Sequence, residues 1–226
     1  MAPAANEFSD TMKKTLIAFE IILLFILSYC SWYLATDYQT PHGRFDMPFL
    51  IRIIDMIDLF IHEGGHGVFR LFGQVIYAMG GSLMQFILPF ATILVLLRTS
   101  GLRSLMGTLY WFGHNMINVS IYIADAPKPQ LTLISKHAFH DWHWLGLRLG
   151  IMDSTGDIAA VVAFLGTLSL LGAVGMTVYF IIRDIREEFW PAPPPKPLPP
   201  GIHPRTRTFL PPDEKRPRGD DTDSIV

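Results

Sequence analysis

Residues 15–34 form a predominantly apolar run whose one charged residue is Glu20, and further apolar stretches of similar length follow it along the chain. A helix that crosses a bilayer needs about 20 predominantly apolar residues, so this run constrains the fold more than any other feature. Half of the 226 residues are hydrophobic and only 17% are charged. Soluble domains carry about 25% charged residues. The expectation is an all-α, polytopic helical membrane protein, with about five transmembrane or re-entrant helices and a disordered proline-rich C-terminal tail. Lys13 and Lys14 precede the first run as they would in a secretory signal, but no small-residue cleavage site follows. The run therefore reads as a retained helix, with Trp32 and Tyr33 at the interface and Glu20 reaching headgroup water. The formal net charge of −2 gives no reason to expect nucleic-acid binding. Cys30 is the single cysteine, which excludes an internal disulfide and a cysteine-based zinc site and predicts a buried, inert thiol.

The pattern divides the chain into a short polar N-terminus (1–14), a first transmembrane helix (15–34), a membrane core (48–182) and the tail (190–226). Pro41, His42 and Gly43 mark a loop before the core. Within the core, helices are expected at about 48–72, 83–97, 105–124 and 157–182. Gly73, Gly80 and Gly81 bracket a short connection, Gly80-Gly81-Ser82 reads as a turn or a close backbone approach, Pro89 predicts a kink, and 125–156 is a long interruption rich in Trp and His. The second helix carries Arg52, Asp55, Asp58 and Arg70, too many charges for a lipid-facing helix, so it must face protein or a water-filled cavity. Positive charges at Lys13 and Lys14 and at Arg183 and Arg186 both favour the cytoplasmic side, which five full crossings would not satisfy. The tail has polyproline II character, and it is either a solvated segment or a ligand for a polyproline-recognising partner.

Inside the second helix stands His62-Glu63-Gly64-Gly65-His66, an H-E-x-x-H pattern. Residues four apart share a helix face, so both imidazoles can reach one metal ion, and Glu63 projects beside it where a carboxylate can take a proton from a water. Asp55, Asp58 and His62 fall on one stripe, predicted to point toward that metal.

A catalytic zinc takes three protein ligands and keeps one position open. No third histidine follows His66 at metzincin spacing, and no Glu occurs between Glu63 and Glu187. The remaining candidates are His114, Asp125, His137, His140, Asp141, His143, Asp153 and Asp157. Asp141 is the best of these, since it lies in a His-Asp-Trp-His-Trp cluster just ahead of an apolar segment. His140 and His143 are alternative ligands, outer donors to the ligands, or interfacial side chains. Asn115, Asn118, Tyr122 and Asp125 form a polar stripe on an apolar helix. Asn115 or Asn118 would either donate to an oxyanion or hydrogen-bond between helices. Gly80, Gly81 and Ser82 would either contact an extended substrate strand or form a tight interhelical turn, and Gln85, near the start of the third helix, would be a further substrate or oxyanion contact. His114 has no evident role beyond a buried hydrogen bond.

These residues resemble the site-2 protease family of intramembrane zinc metalloproteases, in its compact bacterial branch without accessory domains. The resemblance rests on H-E-G-G-H in a membrane helix and on Gly80-Gly81-Ser82 followed by Gln85 and Pro89. It rests also on Asn115, Asn118, Tyr122 and Asp125-Ala126, and on His140-Asp141-Trp142 with Leu145-Gly146. It covers residues 48–180, and Trp142 stands where better-studied members carry Gly after the aspartate. The resemblance implies one zinc ion on His62, His66 and Asp141, with Glu63 as general base. It implies hydrolysis of a peptide bond in a membrane-embedded protein substrate within the lipid bilayer, as in regulated intramembrane proteolysis, and a place in the bacterial cytoplasmic membrane. Two other readings of the same residues are a proteolytically inactive metal-binding scaffold and a zinc-dependent membrane hydrolase of a non-peptide bond.

Overall fold

The structure, a computed structural model, describes residues 3–38, 47–131, 133 and 139–190, with the side chains of the first helix described from 11 onward. The Pro41–Gly43 loop, His137 and the proline-rich tail lie outside the described residues. The described residues form helices and turns without a strand: α1 (Pro3–Thr36), α2 (Phe49–Phe69), α3 (Gln74–Thr99), α4 (Leu105–Ala124), α5 (Asp141–Leu149) and α6 (Thr155–Phe189). Three helical segments are long and apolar enough to cross a membrane: Thr11–Thr36, Gln74–Thr99 and Met152–Phe189.

Polarity is distributed inside out. Phe25, Phe164 and Leu171 are each more than half exposed on the long helices, whereas Glu20, Asp58, Gln85, His114, Asn115 and Asp141 are buried. Lipid tails solvate an apolar surface, so only the interior offers polar side chains a partner. The chain is therefore a helical membrane protein. Helix α4 is the central element, with Gly113, His114, Asn115, Met116 and Ile117 buried in succession. It packs most extensively against α6 and also against α3, while α2 packs on α3 and α1 on α6. Cys30 is buried in a cluster with Leu27, Leu34, Tyr38, Ile51, Tyr110 and Ile117.

Several boundaries differ from the sequence reading. Gly80, Gly81 and Ser82 form no turn and lie inside α3; the chain reverses at Gly73 instead, at φ 90°. The glycines serve a close approach. A Cβ on Gly80 would stand 2.9 Å from the Gly65 carbonyl oxygen, and a Cβ on Gly65 would overlap the Gly80 carbonyl, so the two backbones cross in direct contact. Helix α3 runs through Pro89, which is buried. The interruption at 125–156 contains a helix, α5, that hydropathy alone does not reveal. Because α1 begins at Pro3, Glu20 sits in mid-helix; it is 1% exposed and ion-paired to Arg103 rather than reaching headgroup water.

Candidate metal centre

Helix α2 presents His62 and His66 on one face, with ring centroids 4.8 Å apart. Asp141, the first residue of α5, faces both: its Oδ2 stands 3.1 Å from His62 Nε2 and 3.3 Å from His66 Nε2. One ligand atom from each of the three side chains lies within 4.8 Å of the others. The opposite edges of both rings are held. His62 Nδ1 is 2.8 Å from Gln85 Oε1, and His66 Nδ1 is 2.8 Å from the Tyr77 carbonyl oxygen. Both partners are acceptors, so each Nδ1 carries the proton and each Nε2 of a neutral ring offers a lone pair.

Three electron-pair donors thus converge with no proton of their own between them. Such an arrangement is repulsive unless a cation or two imidazolium protons fill it. Ligand atoms of a tetrahedral site with bonds of about 2.0–2.1 Å stand about 3.3 Å apart, so the observed spacings suit a zinc-sized ion. Gln85 and the Tyr77 carbonyl fix tautomer and ring orientation as outer partners of metal-binding imidazoles do. Beneath His62 lies Gly81, where a Cβ would overlap the imidazole ring.

The platform under Asp141 is built from residues near it in sequence. His140 is the N-cap of α5: its Nδ1 accepts the His143 N–H at 3.1 Å, and its Nε2 lies 3.2 Å from Asp125 Oδ2. Burial holds the His140 imidazole below its ordinary pKa despite Asp125, which keeps the ring neutral and able to accept. His143 Nδ1 donates to the Ala126 carbonyl at 2.7 Å. Both histidines therefore shape the α4–α5 connection and do not face the centre. Burial pushes the Asp141 carboxyl up, and it falls below the ordinary carboxylate range only with imidazolium protons on His62 and His66 facing it, the same positive charge that a metal ion would supply. Tyr122 OH donates to Asp141 Oδ2 at 3.2 Å and accepts the Asp141 N–H at 3.1 Å. Trp142 donates to Ser82 Oγ at 3.0 Å and packs with Phe86, Val119 and Ile123, so it ties α5 to α3.

The asparagines of α4 take the interhelical alternative, whereas the aspartates of α2 do not point to the metal centre. Asn115 donates to Asp58 Oδ1 and to the Trp111 carbonyl, and Asn118 donates to Tyr38 OH. Their amide hydrogens join helices. Asp55 and Asp58 share the face of His62, but seven residues advance a helix by about 10 Å, so they meet a different neighbourhood around His114. His114 Nε2 lies 2.7 Å from Asp55 Oδ1. A single chain of hydrogen bonds joins the two places, with every donor pointing the same way. His62 donates to Gln85, Gln85 to Asn118 at 3.1 Å, Asn118 to Tyr38 at 2.7 Å, and Tyr38 to Asp55 at 2.8 Å. Tyr38, just beyond α1, and the Tyr77 carbonyl carried no sequence signal, since neither belongs to a motif.

Glu63 is exposed and lines a cleft of about 590 Å³ together with His66, Arg70 and Tyr77. Of the three converging donor residues, His66 lines this cleft. Asp125 caps the start of the following loop by accepting the Gln130 and Leu131 N–H groups. Compared with protein-family models, curated proteins and solved structures, the chain matches none.

Proposed function

We propose that the protein is an intramembrane zinc metalloprotease of the site-2 protease type, acting on a membrane-embedded protein substrate in the bacterial cytoplasmic membrane. The observation that carries this reading is the convergence of His62 Nε2, His66 Nε2 and Asp141 Oδ2, with both Nδ1 edges already engaged. In this reading α2 and α4 are embedded beside the three long apolar helices, which gives five embedded helices. Zinc bound there would supply Lewis acidity, polarising the scissile carbonyl and acidifying a water.

The chain's own residues do the rest. His62 and His66 bind through lone pairs whose direction Gln85 and the Tyr77 carbonyl set. Asp141 contributes the negative charge that keeps a divalent ion in a buried position, and Tyr122 holds that carboxylate in place. Glu63, at the edge of the cleft, takes the proton from the attacking water and delivers it to the leaving amine. The cleft beside Glu63 admits an unwound segment of substrate, and the helices behind it keep bulk water away from the carboxylate.

Glu63→Gln removes the base while leaving all three metal ligands. Purified in detergent with a membrane substrate, this variant is expected to keep its zinc and to lose cleavage by about 10²–10⁴-fold. Cleavage at the wild-type rate would contradict the assignment.

A further inference from the structure

The second polar cluster, at the far end of the hydrogen-bond chain, is as deeply buried as the metal centre and has no part in the hydrolytic reading. Asp55, Asp58 and His114 each offer a ligand atom within 4.8 Å of the other two. Their hydrogen bonds are unevenly shared. Asp55 Oδ1 accepts from Tyr38 at 2.8 Å and from His114 Nε2 at 2.7 Å. Asp58 Oδ1 accepts from Trp111 Nε1 at 2.8 Å and from Asn115 Nδ2 at 3.1 Å. The other Asn115 N–H goes to the Trp111 carbonyl at 3.0 Å.

Every hydrogen these side chains can offer is therefore already engaged. Asp58 Oδ2, Asn115 Oδ1 and His114 Nδ1 remain, buried and without a protein partner. Asp58 is 1% exposed, and Asn115 and His114 are fully buried. With a neutral His114 giving its Nε2 proton to Asp55, all three leftover atoms are acceptors, and an ion shared with Asp55 would take the place of that Nε2 proton, which is released on binding. The Asn115 carboxamide is pinned by its two N–H bonds, one of them to Asp58, so its oxygen is fixed beside the cluster. Among the described residues, no Lys or Arg forms an ion pair with either carboxylate. A buried acceptor without a donor is costly, and two carboxylates facing one imidazole leave negative charge uncompensated.

We propose that Asp55, Asp58 and His114, with the Asn115 amide oxygen, form a second buried cation site that takes a divalent metal ion, separate from the one at His62, His66 and Asp141. Two carboxylates and an amide oxygen make a hard, oxygen-rich set, and one imidazole shifts it from Ca²⁺ and Mg²⁺ toward Mn²⁺ or Zn²⁺. Asp55 is the mouth of the site: its side chain is 21% exposed, whereas that of His114 is 0% exposed.

The experiment uses the full chain in detergent, stripped with a chelator, given one equivalent of Zn²⁺ and then dialysed against Mn²⁺. Metal analysis, with electron paramagnetic resonance of the bound Mn²⁺, is expected to find one further ion per chain. Asp58→Asn should weaken Mn²⁺ binding by at least tenfold and leave the zinc in place. Asp55→Asn, a change at the more exposed end, should do the same and guards against a folding defect at Asp58. The His62→Ala/His66→Ala double variant should lose the zinc and keep the Mn²⁺. Wild-type protein that takes up no second ion, or Mn²⁺ binding unchanged in both aspartate variants, would overturn the proposal. Absence of the first zinc alone would count against the hydrolase reading and leave this second site standing.

Discussion

His62 is held on three sides: Gln85 fixes its Nδ1, Asp141 faces its Nε2, and Gly81 lies against the ring plane. The third contact yields a sharp prediction. Gly81→Ala would drive a methyl group into the imidazole, and the ring would have to leave its position. Zinc affinity is expected to fall by about 10–100-fold, the usual consequence of disturbing a ligand's supporting shell. Gly64→Ala and Gly67→Ala, on the same motif helix but with no neighbouring atom within 4 Å, should bind zinc as the wild type does. Equilibrium titration of the three variants checks this, and equal losses in all three would contradict it. The His62, Glu63 and His66 arrangement was legible in the sequence because helix periodicity alone brings i and i+4 together. The partners of His62 were not. Gln85 read as a substrate or oxyanion contact and Gly81 as a substrate contact, a turn or a close backbone approach, since nothing in their spacing tells that α3 lies against α2 at this height.

At the scale of elements, α5 decides where the third donor stands. Hydropathy could not reveal this helix, because its nine residues are mixed in polarity and it is too short for a membrane run. Asp141 was nonetheless visible as the best third donor, but that His140 caps the helix and Trp142 reaches Ser82 on α3 was not. Trp142 thus anchors the helix that carries the carboxylate. Trp142→Phe keeps the ring but removes the hydrogen bond and leaves the Ser82 hydroxyl, 3% exposed as a residue, without it. A loss of about 1–2 kcal/mol in unfolding stability is expected, together with weaker zinc binding as Asp141 drifts. Unaltered thermal stability in a denaturation series would show that α5 is placed by something else. For the Gly80-Gly81-Ser82 segment the sequence left a turn and a close backbone approach open, because glycine pairs mark turns in soluble proteins and, in packed membrane helices, the points where two backbones touch; the structure takes the second.

For the whole molecule, apolar run lengths were enough to identify a helical membrane protein, and the buried polar residues agree with that reading. What the runs could not supply was the cross-chain pairing of those residues. Arg103 is an example. It bonds Glu20 of α1 and, in a two-pronged contact at 2.7 and 2.9 Å, Asp184 of α6. The three residues are more than 80 positions apart in pairs involving Arg103, so no local pattern announces them. Arg103→Met is expected to destabilise the fold by about 3 kcal/mol, because it strands the buried Glu20 carboxylate. Paired with Glu20→Gln the loss should shrink, and a double-mutant cycle in detergent measures the difference.

The account depends most on a carboxylate seventy-nine positions from His62 sharing one ion with it. Zinc affinity of Asp141→Ala against wild type, measured by competition with a calibrated chelator, tests this directly. Binding weaker by about 100-fold or more is predicted, since a two-imidazole site without its anionic ligand holds zinc poorly. Affinity equal to wild type would mean that Asp141 does not ligate the ion and that the proposed hydrolytic centre is wrongly built.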